Sequence, residues 1–194
     1  LCWCLRWTIA LPLAYAFAKA GANLVLTARR TEALEQVGET CRASGAEVIV
    51  VAGDVSKESD VNQVIQQGIE ALGKIDVLIN NAGLGAQSLL VEMDDEEWLR
   101  VIDVTLNGTM RCTRAALKKM QEKNTGVIVN NASVLGWRAQ TGQSHYAAAK
   151  AGIAGFTKVV GKDLGKYGVT ANTIAPRADT RMTASVPEEY KKKS

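Results

Sequence analysis

The chain has 194 residues, 47% hydrophobic and 22% charged, which suits a single domain over residues 1–194 with a sizeable core. Its net charge of +3 includes Lys191, Lys192 and Lys193 in the tail, which a solvated terminus explains, so nucleic acid is not an expected partner. Cys2, Cys4, Cys41, Cys112 and the single histidine, His145, have no zinc spacing, so we expect no metal, reduced thiols and a cytoplasmic location.

Residues 1–18 are largely apolar, but Arg6 and Pro12 interrupt the run and no charged n-region precedes it, so we expect neither a membrane span nor a signal segment. From there one arrangement recurs: an amphipathic helix, a glycine, then a short apolar strand. Gly21 precedes a strand at 23–27, Gly45 one at 47–52, Gly73 one at 75–79, Gly126 one at 127–129 and Gly168 one at 169–174. Each glycine is expected to close its helix in the left-handed conformation. The strands are β-branched and apolar on both faces, as in a buried parallel sheet.

Between them, Val61, Val64, Ile65, Ile69 and Leu72 mark one apolar helix face. The stretch 94–120 reads as a long helix carrying Trp98, Val101, Ile102, Leu106 and Leu117 inward. The stretch 144–166 is rich in Ala and Gly and suited to close helix packing. Alternating strands and helices predict a doubly wound α/β fold of the Rossmann kind, with ligands at the carboxyl ends of the strands.

Tyr146 and Lys150 are four residues apart on the Ala-rich helix and share a face. A nearby ammonium favours tyrosinate, and a tyrosine tuned in this way can act as general acid to a carbonyl or as base to an alcohol. Ser133, thirteen residues before Tyr146, falls at a strand's carboxyl end and can bond the same oxygen. Tyr15 and Lys19 repeat the spacing on the first helix without a strand-end partner; we read that pair as helix surface and core. His145 points away from Tyr146's face and is assigned a loop or packing role. Trp137 and Gln143 are candidates for the pocket edge or a surface loop.

In order, the chain carries Asp54 and Val55 after the third strand, Asn80-Asn81-Ala82-Gly83 after the fourth, then Ser133, the Tyr146/Lys150 pair and Pro176 after the sixth. This series resembles the short-chain dehydrogenase/reductase family, ketoacyl-reductase-like members included, from about residue 14 to 182. The resemblance implies that Tyr146 is the proton donor or acceptor and that Ser133 orients the substrate oxygen. Lys150 would hold the nicotinamide ribose and depress the Tyr146 pKa. Asp54 with Val55 would contact the adenine. Asn81, Ala82 and Gly83 would line the adenosine side, and Pro176 and Thr180 would complete the cofactor site. The family's NAD selector is an acidic residue after the second strand; Arg29 stands there instead. Its fixed cation suits a 2′-phosphate, so NADP is expected over NAD.

Three departures stand out. Counting 28 residues back from Ser133, the family's fourth catalytic position holds Thr105 where an asparagine is usual, which predicts slower turnover. The glycine-rich turn is absent, with Trp3, Cys4, Thr8 and Ala10 at its positions and a truncated first strand. The segment 1–12 reads as foreign to the rest, as if a reading frame or gene boundary were altered. Arg177 replaces the glycine usual after Pro176, and the last strand and substrate-covering segment of the family are expected to be missing or abbreviated.

The expected function is interconversion of a ketone and a secondary alcohol with NADP(H). The alternative is a catalytically impaired Rossmann-fold remnant serving as an interaction or scaffold subunit. By resemblance, a homo-oligomer would form through the helices at 94–120 and 144–166.

Overall fold

The computed structural model describes residues 2–3 and 10–176. Six strands, β1 (Cys2–Trp3), β2 (Leu24–Ala28), β3 (Val48–Ala52), β4 (Val77–Asn80), β5 (Gly126–Asn131) and β6 (Val169–Ile174), form one parallel sheet. Between them run α1 (Ala10–Lys19), α2 (Thr31–Arg42), α3 (Glu58–Leu72), α4 (Asp95–Ile102), α5 (Gly108–Lys123) and α6 (Ser144–Leu164). The spatial order is β3-β2-β1-β4-β5-β6, which is a doubly wound arrangement, the fold class expected from the sequence. The direction of winding reverses between β1 and β4, which opens a crevice at their carboxyl ends. Among the described residues β1 comprises Cys2 and Trp3, paired with Leu26 and Thr27 on one side and Ile79 and Asn80 on the other. Among the described residues the sheet ends at β6.

Period-2 alternation divides the strand side chains between two cores. Leu24, Leu26, Val48 and Ile79 pack with α1 and α2 residues such as Ala14, Ala18, Leu34 and Val37. Val25, Val51, Leu78 and Ile128 pack on the opposite face with Val61 and Val64 of α3, Cys112 and Ala116 of α5, and Val160 and Leu164 of α6. The two-faced hydrophobicity of the strands is therefore used on both sides. Tyr15 packs against the first core while Lys19 is exposed, so the decoy pair has the role the sequence suggested.

Two sequence expectations change in detail. Gly126 does not cap a helix; α5 ends at Asn124 with φ 50°, and Gly126 begins β5. Its glycine is required by packing instead, because a Cβ there would stand 2.6 Å from Met120 Sδ. The long helix is also not uniform. A π-turn, Asp103–Asn107, separates α4 from α5, and Thr105 lies inside it. Such turns are frequent at functional sites.

A buried polar ladder fixes the helices to the carboxyl ends of β4 and β5. Asn80 Nδ2 donates to Thr113 Oγ1 of α5 at 3.0 Å and to Asn130 Oδ1 at 2.8 Å. Asn130 Nδ2 donates to Thr157 Oγ1 of α6 at 2.9 Å, and Thr157 passes the chain on to the Ile153 carbonyl at 2.7 Å. The four side chains are at most 3% exposed, so this ladder sets the register of α5 and α6 against the sheet in a low-dielectric setting.

Candidate active site

The predicted site residues within the described chain gather along one edge of the sheet. Arg29 follows β2, Asp54 follows β3, Asn81 follows β4, Ser133 follows β5 and Pro176 follows β6. Thr180, Arg177, Cys4 and Thr8 lie outside the described residues.

Lys150 is the centre of the arrangement. It is 3% exposed, and its Nζ donates to the carbonyl of Asn131 at the end of β5. The same Nζ lies 5.5 Å from the centroid of the Tyr146 ring, so the two side chains do share a face of α6. Burial pushes the Lys150 ammonium down to about 8. Tyr146 is half-buried, so part of its side chain is open to solvent.

Gly83 faces the same spot. A Cβ on it would stand 3.5 Å from Lys150 Nζ and 3.6 Å from Thr105 Cγ2. Gly83, Thr105 and Lys150 thus border one space. The Thr105 hydroxyl is fully buried. It accepts from the Leu84 amide at 3.0 Å and donates to the Leu84 carbonyl at 3.4 Å, pinning the turn after β4 to the π-turn.

Ser133 caps a single 3-10 turn, Val134–Gly136, and its Oγ accepts from the Leu135 amide at 3.2 Å. That bond uses a lone pair and leaves the hydroxyl proton free to donate. The turn sits directly on α6: a Cβ on Gly136 would be 3.0 Å from the Ala151 nitrogen and 3.1 Å from the Lys150 carbonyl carbon. Gly136 therefore seats Ser133 over the helix that carries Tyr146 and Lys150. Sequence reasoning passed over it; the signal was a glycine three residues after Ser133.

The far end of the edge carries the polar groups of β2 and β3. The Asp54 carboxylate accepts from the Ser56 amide at 2.9 Å and from its hydroxyl at 2.8 Å. Burial acts to raise the Asp54 pKa, but these hydrogen bonds and the positive fields of Arg29 and Lys57 outweigh it and hold the carboxyl below its ordinary value. Arg29 is exposed and close enough for its charge to act on Asp54. Val55 is buried in the core: it presses on Gly108, where a Cβ would meet its Cγ2 at 2.8 Å, and its carbonyl accepts from Arg111 at 3.4 Å. Only its backbone remains for a ligand.

From β3 to β5 is four strand spacings, about 19 Å at roughly 4.8 Å each. An extended dinucleotide fits that length, with one nucleoside near Asp54 and Arg29 and the other near Lys150. A space bordered by the Cβ-less Gly83 and a buried ammonium with donors to spare suits a sugar hydroxyl acceptor.

Asn81 and Ala82 are buried. The Asn131 side-chain amide donates to Asn81 Oδ1 at 2.5 Å, joining the ends of β4 and β5. His145 lies in α6 rather than in a loop; it is fully buried, with Nε2 3.4 Å from Glu97 Oε1, and so packs α6 against α4. Gln143 Nε2 donates to the Ala86 carbonyl at 2.7 Å, and Ser88 N donates to the Gly142 carbonyl at 3.1 Å. These bonds strap the loop after β4 to the loop before α6. Trp137 is 62% exposed. Among the described residues no helix is long and apolar enough to cross a membrane.

The chain matches the profile of the short chain dehydrogenases over residues 7–191. It is 44% identical over 158 residues to (5R,7aS)-5-hydroxy-7a-methyl-1-oxo-2,3,5,6,7,7a-hexahydro-1H-indene-carboxyl-CoA reductase of Mycobacterium tuberculosis, covering 80% of this chain and 60% of that one. It is 41% identical over 164 residues to a 3-oxoacyl-[acyl-carrier-protein] reductase of Synechocystis, covering 84% of this chain and 66% of that one. The chain thus spans 60–66% of the length of these two relatives. Among solved structures, a short chain dehydrogenase from Mycobacterium smegmatis superposes with a TM-score of 0.86 at 40% identity, covering 92% of this chain and 77% of that one. An actinorhodin polyketide ketoreductase variant with NADPH superposes with a TM-score of 0.88 at 35% identity, covering 94% of this chain and 71% of that one.

Proposed function

The chain belongs to the short-chain dehydrogenase/reductase family of oxidoreductases, and on that premise we propose that it interconverts a ketone and a secondary alcohol with NADP(H). The observation that carries the proposal is the convergence of Ser133, Tyr146 and Lys150, with Gly136 fitting the serine turn against α6 beside Lys150.

A nicotinamide held by Lys150 would supply hydride chemistry at the carbonyl carbon in the reducing direction. Ser133 uses its free hydroxyl proton to hold the substrate oxygen. The Tyr146 hydroxyl gives its proton to that oxygen as charge develops there, and takes it back when an alcohol is oxidised. Lys150, fixed beside the Tyr146 ring by the Asn131 carbonyl, offsets the negative charge left on the phenolate. Its remaining N–H donors would hold the ribose of the nicotinamide half. Asp54, the Val55 backbone and Arg29 would hold the adenosine half, with Arg29 favouring the 2′-phosphate of NADP over NAD. The NADPH-bound ketoreductase and the named reductases among the relatives support a ketone substrate and a nicotinamide cofactor. A cytoplasmic location and a homo-oligomer through α4, α5 and α6 accompany this reading.

Fluorescence titration with NADPH, followed by a ketone-reduction assay, tests it. We expect saturable binding, and loss of about 1,000-fold or more of turnover in Tyr146→Phe with binding retained. No binding at near-millimolar NADPH would favour the scaffold reading, which the missing glycine turn recommends. A Tyr146→Phe protein with unchanged turnover would refute the assignment of the proton donor.

A further inference from the structure

Asn131 is the last residue of β5, and nothing in the reaction described above uses its side chain. By strand alternation it shares a face with Val129, which packs toward α1 and α2, while Asn130 faces the opposite core. Three polar groups of this one residue have different fates. The carbonyl accepts from Lys150 Nζ. The amide nitrogen donates to Asn81. The side-chain oxygen, Oδ1, is buried without a hydrogen-bond partner among the described residues, in a residue only 8% exposed.

A buried acceptor left unmade is costly, and native proteins rarely carry one without a reason. Here the orphan lies at the carboxyl edge of the sheet, one strand from the switch point between β1 and β4, and on the residue that anchors the Lys150 ammonium. It is four strand spacings from the Asp54 end, which excludes the adenosine half of an extended dinucleotide. The donors left to meet it are those of the nicotinamide riboside: ribose hydroxyls and the carboxamide N–H.

We propose that Asn131 is a further cofactor-binding residue, whose Oδ1 accepts a hydrogen bond from the nicotinamide-riboside half of the dinucleotide while its amide and carbonyl hold Asn81 and Lys150 in place. This rests on the NADP(H) reading above. The residue thereby couples three parts of the site: the turn after β4, the lysine of α6 and the reacting end of the cofactor.

The test is binding rather than turnover. NADPH, reduced nicotinamide mononucleotide and 2′,5′-ADP are titrated separately against the wild-type chain, Asn131→Leu and Asn131→Asp. The leucine removes the acceptor at similar volume. The aspartate keeps an acceptor, and the Asn81 amide can turn to donate to it. Asn131→Leu is expected to weaken NADPH and the mononucleotide roughly tenfold and leave 2′,5′-ADP unchanged, with Asn131→Asp restoring most of the loss. Equal affinities in wild type and Asn131→Leu overturn the proposal. So does a parallel loss for 2′,5′-ADP, which marks a general structural role, or an aspartate as weak as the leucine, which leaves the acceptor without a part. Should Asn131→Leu fail to fold by circular dichroism, Asn131→Ser, too short to reach, serves in the same comparison. A wild-type chain that binds no NADPH defeats the NADP(H) reading itself. A wild type that binds, with an indifferent Asn131→Leu, defeats only the role of Asn131.

Discussion

Replacing Lys150 by methionine should change how stability depends on pH. In the folded chain burial holds the ammonium at about 8, against 10.5 for the free side chain. A lysine pKa lowered by folding means that the unfolded state binds the extra proton between these values. Stability therefore rises with pH across the window from 8 to 10.5, and the penalty for the buried charge is fully present below it. The shift corresponds to about 3 kcal/mol of penalty near neutral pH. Between about pH 7 and about pH 9.5 the wild-type chain should gain about 2 kcal/mol from this group, relative to a methionine variant in which all other titrations are retained. Urea unfolding of both proteins at both pH values measures it, provided the transitions are two-state. The expected result is a steeper rise with pH in the wild type. Curves that run parallel would show that Lys150 is solvated in the free chain and would refute the buried-ammonium argument. Saturating NADPH should reduce the difference, since ribose acceptors stabilise the charged form.

Two further outcomes follow from packing. Asn130→Leu removes the central rung between Asn80 and Thr157 and should cost about 2–3 kcal/mol in urea unfolding, the range for leaving buried polar groups unpaired; a cost under about 0.5 kcal/mol would mean that the ladder does not fix the helices. Gly136→Val places a side chain against the α6 backbone, where even a Cβ would be 3.0 Å from the Ala151 nitrogen. It should lift Ser133 away and lower kcat on the order of 10–100-fold while NADPH binding holds; an unchanged kcat would show that the turn does not position the serine.

The sheet was legible because its information is local. Apolar runs such as Leu24–Ala28 and Val48–Ala52, with glycines at Gly21 and Gly45 ahead of them, announce interior strands without reference to the rest of the chain. The Tyr146/Lys150 spacing equally needs only the geometry of one helix. Its decoy, Tyr15/Lys19, shows the limit of that signal: the same spacing occurs where no strand end delivers a serine. The choice between the two pairs depended on order along the chain.

What the sequence could not show depends on distant residues meeting. Gly126 reads as a cap by position, yet the left-handed residue is Asn124, and the glycine at 126 answers to Met120, which fills the space that a side chain there would need. The π-turn that buries Thr105 is set by its bonds to Leu84, twenty-one residues away. Gly83 reaches Lys150 only when the β4 turn and α6 pack together. The sequence alone determined the family and the fold class and singled out Ser133, Tyr146 and Lys150 as candidates, since these follow from periodicity and ordered motifs. Only the tertiary structure decided that Lys150 is buried with its ammonium pKa lowered, that Gly136 seats Ser133, and that Asn131 keeps an acceptor in reserve. Burial, close approach and an unmet hydrogen bond are properties of packed neighbours, and no single segment of the chain contains them.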